Sequence, residues 1–135
     1  MAVELRKDSI DLGIVVKDSA TALAFYRDLL GFEHVGDMPM PIGGGGTMHR
    51  VEAGDTLLKL IEFVETPPAT PGGGMTGGLG FRYLTFIVSN LDEIMTTCGA
   101  AEVPTAVPIS EIRPGVRIAI VVDPDGNWVE FVETA

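Results

Sequence analysis

Four side chains able to hold or move a proton, Asp11, Lys59, Tyr83 and Glu130, stand at positions that an internal repeat sets in pairs. Asp11–Asp18 (Asp-Leu-Gly-Ile-Val-Val-Lys-Asp) aligns with Tyr83–Asn90 (Tyr-Leu-Thr-Phe-Ile-Val-Ser-Asn) at an offset of 72 residues. Leu58–Glu62 aligns with Val129–Glu133 at an offset of 71. The repeat thus matches Asp11 to Tyr83 and Lys59 to Glu130. An ammonium and a phenol can donate to a carbonyl or enolate oxygen, and a carboxylate whose pKa burial raises can take the adjacent proton. Glu130 and Asp11 are the candidate bases, and their charge would keep Lys59 protonated. The same four residues also read as a salt-bridged cluster with no catalytic use. Breaking a buried ion pair costs about 3–5 kcal/mol, so such clusters persist for structural reasons alone.

The elements that must position them follow from periodicity and turn chemistry. A unit repeated only twice is not a solenoid, which needs three or more repeats to bury a core. Two half-domains with function between them are expected. In the first, an apolar run over 10–16 predicts a strand, Asp18 or Ser19 caps a helix, and Leu23, Tyr26 and Leu30 give its apolar stripe. Gly31 ends the helix as a C′ glycine. A short strand over 32–35, a loop containing Pro39, Pro41 and Gly43–Gly46, and strands over 47–53 and 56–64 complete the half. Gly54-Asp55 marks the hairpin between the last two.

The second half repeats this β-α-β-β-β order. A strand covers 81–88, and Asn90 with Glu93 forms a capping box. Leu91, Ile94 and Cys98 line a helix ended by Gly99. A short edge strand, a strand over 116–122, a turn at Asp123-Pro124-Asp125-Gly126 and a strand over 128–133 follow. The Pro- and Gly-rich stretch 67–80 reads as a connector or a flap over the site. The expected organisation is one domain, with modules at about 9–66 and 81–134.

Strand parity selects further lining residues. With an even-length loop at Gly54-Asp55, Arg50 shares a face with Lys59; with an odd one, His49 does. A four-residue turn at Asp123–Gly126 would put Arg117 on the face of Glu130. Trp128 precedes Glu130 by two and shares its face, where it can stack on a flat ligand or pack at a rim. Arginines there suit a carboxylate or phosphate.

Composition narrows the classes. The chain has 135 residues, 46% hydrophobic, enough for one globular core. The net charge of −10 repels phosphate backbones and argues against a nucleic-acid partner. No apolar run reaches the ~18 residues of a membrane span, and residues 1–8 carry no signal-like segment. The single cysteine, Cys98, precludes an internal disulfide, fits a cytoplasmic location and reads as an inert packed thiol. Gly43–Gly46 lacks the Lys-Ser/Thr of a phosphate loop. Paired-Cys zinc motifs, nucleophile elbows and dinucleotide fingerprints are absent.

Ile14-Val15-Val16-Lys17-Asp18, Phe25-Tyr26-Arg27-Asp28-Leu29-Leu30-Gly31-Phe32 and Asp123-Pro124-Asp125-Gly126-Asn127-Trp128-Val129-Glu130 together resemble the vicinal oxygen chelate superfamily. That superfamily includes glyoxalase I, bleomycin- and fosfomycin-resistance proteins, methylmalonyl-CoA epimerase and extradiol dioxygenases. The resemblance spans nearly the whole chain. It implies an α+β fold of two βαβββ modules whose curved mixed sheets surround a cavity, and a homodimer. It also implies a metal held by a first-strand His and a fourth-strand Glu of each module. Those positions fall on Asp11, Tyr83, Lys59 and Glu130, of which Glu130 alone keeps the residue type. A protonated Lys59 cannot ligate, and His34 and His49 lie off the matched positions, so neither metal nor other cofactor is expected. Lys59 then takes the metal's electrostatic place. The expected activity is metal-independent isomerase, lyase or epimerase chemistry on a small molecule. The alternative is a ligand-sequestering protein of the bleomycin-resistance kind; a metal-dependent dioxygenase fits less well.

Overall fold

A computed structural model describes all 135 residues. The chain divides into two compact units, Met1–Pro67 and Pro68–Ala135. Each is a βαβββ module with a four-stranded mixed sheet. No helix is long and apolar enough to cross a membrane.

In module one, β1 (Asp11–Val15) leads to α1 (Ser19–Leu23), which continues as a π-helical turn over Ala24–Leu29. Next come β2 (Glu33–Pro39), β3 (Gly46–Ala53) and β4 (Thr56–Phe63). The sheet order is β1-β4-β3-β2, with β1 parallel to β4 and the other pairs antiparallel. Of the expected apolar stripe, Leu23 and Tyr26 are buried and Leu30 only partly so, while Phe25 is buried with them; Val51, Leu58 and Leu60 of the sheet are buried too. Phe25 and Tyr26 meet edge to face at 4.8 Å, the arrangement that aligns ring edge with ring face.

Module two repeats the plan with β5 (Tyr83–Val88), α2 (Leu91–Ala100), β6 (Thr105–Arg113), β7 (Val116–Val122) and β8 (Trp128–Thr134). Its order is β5-β8-β7-β6, with β5 parallel to β8. Leu91 and Cys98 of α2, Ala119 and Val121 of β7, and Val129 and Phe131 of β8 are buried. Burial pushes the Cys98 thiol pKa up, the behaviour of a packed and unreactive cysteine.

The two helices start in related ways. Asp18 Oδ1 accepts from the amides of Ala20 (2.8 Å) and Thr21 (3.2 Å). Glu62, at the end of β4, accepts from Ser19 N at 2.7 Å. In module two the repeat-matched Glu133 accepts from Leu91 N at 2.9 Å. The expected capping box does not form: Asn90 makes no side-chain cap and instead donates to Glu93 at 3.2 Å. A glutamate from the neighbouring strand takes that role, a long-range partner that local spacing does not reveal.

Gly31 has φ +79°, as a C′ glycine should. Gly99, by contrast, stays inside α2, and the left-handed residue after the helix is Glu102 at φ +59°. Strand β2 runs four residues beyond its expected end, and the short edge strand is the nine-residue β6. Both contain register shifts that restore pairing after an irregularity.

Candidate functional site

Strand alternation gives each sheet one face toward its helix and one away from it. In module one, β4 turns Leu58, Leu60 and Glu62 toward α1, and Leu57, Lys59 and Ile61 away. The β3–β4 loop is the two residues Gly54-Asp55, because Ala53 pairs with Thr56. That even length sets Arg50 directly opposite Lys59 and turns His49, opposite the buried Leu60, to the helix-side face. The odd-loop alternative that would have brought His49 beside Lys59 is therefore not realised.

On the away face, Lys59 pairs in register with Gly13, which offers no side chain. Its ammonium reaches Asp11 Oδ2 at 3.5 Å. The other oxygen of Asp11 accepts from Lys7 Nζ at 2.5 Å. The Lys7 bond holds the Asp11 carboxyl below the usual carboxylate range, and Lys59 adds to the effect. Asp11 is ion-paired, and two ammonium groups oppose the upward shift a base needs. Arg50 makes no ion pair and stands across from the like-charged Lys59. Lys7, Asp11, Arg50, Glu52, Gly54, Asp55 and Leu57 line an open depression of about 330 Å³.

Module two places Tyr83, Thr85 and Ile87 of β5 on the face of Trp128, Glu130 and Val132 of β8, with Tyr83 opposite Trp128 and Thr85 opposite Glu130. This is the register of Gly13 and Lys59 in module one. Glu130 Oε1 accepts from the Thr85 hydroxyl at 2.7 Å, a neutral donor. Tyr83 is half exposed.

Arg117 does not join this face. Val122 pairs with Trp128, so the β7–β8 turn holds five residues, and the odd count moves Arg117 opposite Glu133 while Ile120 faces Glu130. Asp123 builds the longer turn, accepting from the amides of Asp125 (2.9 Å) and Asn127 (2.8 Å) and from Asn127 Nδ2 (2.9 Å). Arg117 instead forms a fork with Asp92 of α2, at 3.2 and 2.9 Å, and reaches Glu133 at 2.6 Å. These bonds push its pKa up, with Asp92 as the larger cause. Arg117 ties helix to sheet and is occupied by that task.

The connector is held against module two. Arg82 donates to the carbonyls of Gly74 (2.8 Å), Pro71 (3.1 Å) and Gly72 (3.1 Å). Gly74 lies under the Trp128 ring, so close that a Cβ there would fall 2.2 Å from Trp128 Cζ2. One side of the indole is therefore packed on the chain itself.

Sequence reasoning missed Thr85, whose signal was its repeat match to Gly13, and Asp37, which bonds both histidines. It also missed the anchoring of the connector by Arg82.

The chain's relatives are consistent with this architecture. A glyoxalase family protein from Bacillus cereus is 16% identical, with a TM-score of 0.79 over 98% of this chain and 96% of that one. An antibiotic binding protein from Streptomyces sp. CB03234 is 22% identical, with a TM-score of 0.70 over 98% and 100%. A lactoylglutathione lyase from Agrobacterium tumefaciens is 24% identical, with a TM-score of 0.66 over 96% and 96%. At these identities the likeness establishes the fold. No curated protein sequence matches the chain. The family model of the glyoxalase/bleomycin resistance protein/dioxygenase superfamily matches residues 9–131, and the chain belongs to that superfamily.

Proposed function

We propose that this protein is a small-molecule enzyme of the glyoxalase type that moves a proton next to a carbonyl, with Glu130 as the base and no metal at the family's ligand positions. The observation that carries the reading is the contrast between the two carboxylates. Asp11 is engaged by two ammonium groups, whereas Glu130 is oriented by one neutral hydroxyl and meets no cation. Ammonium groups lower the basicity of the carboxylate they hold, which disfavours Asp11 as the base. Tyr83 on the same face supplies a phenolic donor for the carbonyl oxygen, and Trp128 a flat apolar wall.

Within module one taken by itself, the facing cations Arg50 and Lys59 suit an anion. Like charges set directly opposite across strands destabilise a sheet, and of the two only Lys59 has a carboxylate partner, Asp11. The four family positions carry Asp11, Lys59, Tyr83 and Glu130. This set lacks imidazoles and includes an ammonium with no lone pair to give, so it does not fit the family's metal. The chain is also proposed to pair as a homodimer, since the edge strands β1 and β5 expose Val15 and Ile87.

The second reading is a binding protein without turnover. It is favoured by the pairing of Asp11 with Lys7 and Lys59, which leaves that carboxylate engaged in ion pairs, and by the antibiotic binding protein among the structural neighbours.

Proton exchange separates the two readings. The protein is mixed in deuterated buffer with a panel of small carbonyl acids, and incorporation at the α-carbon is followed by NMR. The expected result is exchange of at least one panel member, lowered about 10²–10⁴-fold by Glu130→Gln with the fold intact. Binding without exchange would select the sequestering reading. Equal exchange by the Glu130→Gln protein would remove Glu130 from the mechanism.

A further inference from the structure

The only two histidines of the chain, His34 and His49, meet at one carboxylate. Asp37 Oδ1 accepts from His34 Nε2 at 2.5 Å and from His49 Nδ1 at 2.7 Å. The three ligating atoms lie within 4.8 Å of one another. They sit on the helix-side face of the module-one sheet, opposite to the face of Lys59. They are therefore separate from the positions at which the superfamily places its metal.

The convergence depends on a defect in the strand. Residues 34 and 37 are three apart, and a regular strand would send them to opposite faces. Here His34 pairs with Val51 and Gly36 with Arg50, so Val35 is an extra residue. This bulge restores Asp37 to the face of His34, opposite His49. Bulges that re-aim one side chain are common beside functional sites. The trio is not required by the fold. In module two the sheet positions that match His34 and His49 by pairing hold Thr105 and Ala119.

We propose that His34, Asp37 and His49 form a binding site for a divalent transition-metal ion of the zinc, cobalt and nickel class. Two imidazole nitrogens and one carboxylate oxygen favour these ions over magnesium or calcium, which take oxygen ligands. In a tetrahedral site with bonds of ~2.0–2.1 Å the donor atoms stand ~3.3 Å apart. The present spread needs only a modest contraction and a turn of the Asp37 carboxyl away from the two nitrogens. Each imidazole then carries its proton on its other nitrogen, leaving Nε2 of His34 and Nδ1 of His49 free to ligate. The side chains of His34 and His49 are 21% and 15% exposed, so the ion has an entry path and a fourth position open to water. Bound metal would clamp edge strand β2 to β3.

The test uses untagged protein titrated with zinc chloride alone while the imidazole resonances are followed by NMR. With only two histidines the spectrum assigns itself once His34→Gln is compared. The expected result is that both imidazoles shift together and saturate at one equivalent. Binding measured by calorimetry should weaken more than ~10–100-fold in His34→Gln, His49→Gln and Asp37→Asn, because losing even an outer-shell partner typically costs that much. Glu130→Gln should leave it unchanged. Imidazole resonances that stay still would overturn the proposal without any variant needing to fold. So would binding that is lost in Glu130→Gln and kept in His49→Gln, which would place the ion at the family's position.

Discussion

The substitution Gly74→Ala tests how Trp128 is held. Gly74 has φ +61°, and a Cβ there would fall 2.2, 2.4 and 2.7 Å from Cζ2, Cη2 and Cε2 of the indole. Carbon atoms rest ~3.5–4.0 Å apart, so the ring or the connector must retreat by at least ~1.3 Å. The left-handed conformation adds ~1–2 kcal/mol for an L-residue, and forcing a methyl into a filled site adds ~1–3 kcal/mol. The total, ~2–5 kcal/mol, converts to a melting point lower by ~7–18 °C, taking ~2.1 cal/mol/K per residue over the whole chain. The chain has a single tryptophan. Selective excitation therefore reads Trp128 alone, and its emission should move to the red as the indole leaves Gly74 and meets water. Gly99→Ala is the control. Gly99 lies within α2 with nothing inside 4 Å of a Cβ, so alanine should stabilise by about 0.5–1 kcal/mol through helix propensity. An unchanged melting point and spectrum in Gly74→Ala would refute the packing of the indole on the connector, and with it the wall assigned to Trp128.

Acid should weaken module two through Glu133. The Arg117 bond, and then the Leu91 amide, hold its carboxyl below the ordinary glutamate value of 4.5. A depressed folded pKa contributes stability above the unfolded value, and this contribution disappears as pH falls through the folded one. Glu133→Gln should therefore melt below wild type at neutral pH and show a flatter decline below about pH 4.5; parallel acid limbs would contradict the linkage. For assembly, light scattering should return twice the 14.3 kDa chain mass, and Ile87→Lys on edge strand β5 should return the monomer. A monomeric wild type at micromolar concentration would exclude the pairing.

The strand and helix plan was legible because each element carries a local signal: Asp18 and Gly31 bracket the first helix, and Gly54-Asp55 fixes a two-residue hairpin. Of the two parities left open at that hairpin, the even one holds and places Arg50 opposite Lys59. Parity failed at Arg117 because the Asp123 side chain accepts from residues as far as Asn127 and lengthens the turn by one. One residue inverts the face of every side chain beyond it. The histidine trio was hidden for the same reason in reverse, since the bulge at Val35 brings together residues that alternation separates. Caps from Glu62 and Glu133 cross more than forty positions of sequence and leave no short motif.

The comparison of the two modules separates scaffold from site within one chain. Glu62 and Glu133 occupy matched positions and do the same work, each accepting from the first amide of its helix. Three residues away on the same strands, and so on the opposite face, Lys59 and Glu130 are matched in register yet opposite in charge, with Gly13 and Thr85 as their matched neighbours. The difference is coherent: a glycine beside Lys59 leaves room for Asp11 to neutralise it, and a threonine beside Glu130 orients a carboxylate without neutralising it. The helix-side glutamates are the same in both modules because every helix start has amides to satisfy. The away face carries no such requirement. There each module carries its own pair, an ammonium held by Asp11 in one and a carboxylate oriented by Thr85 in the other.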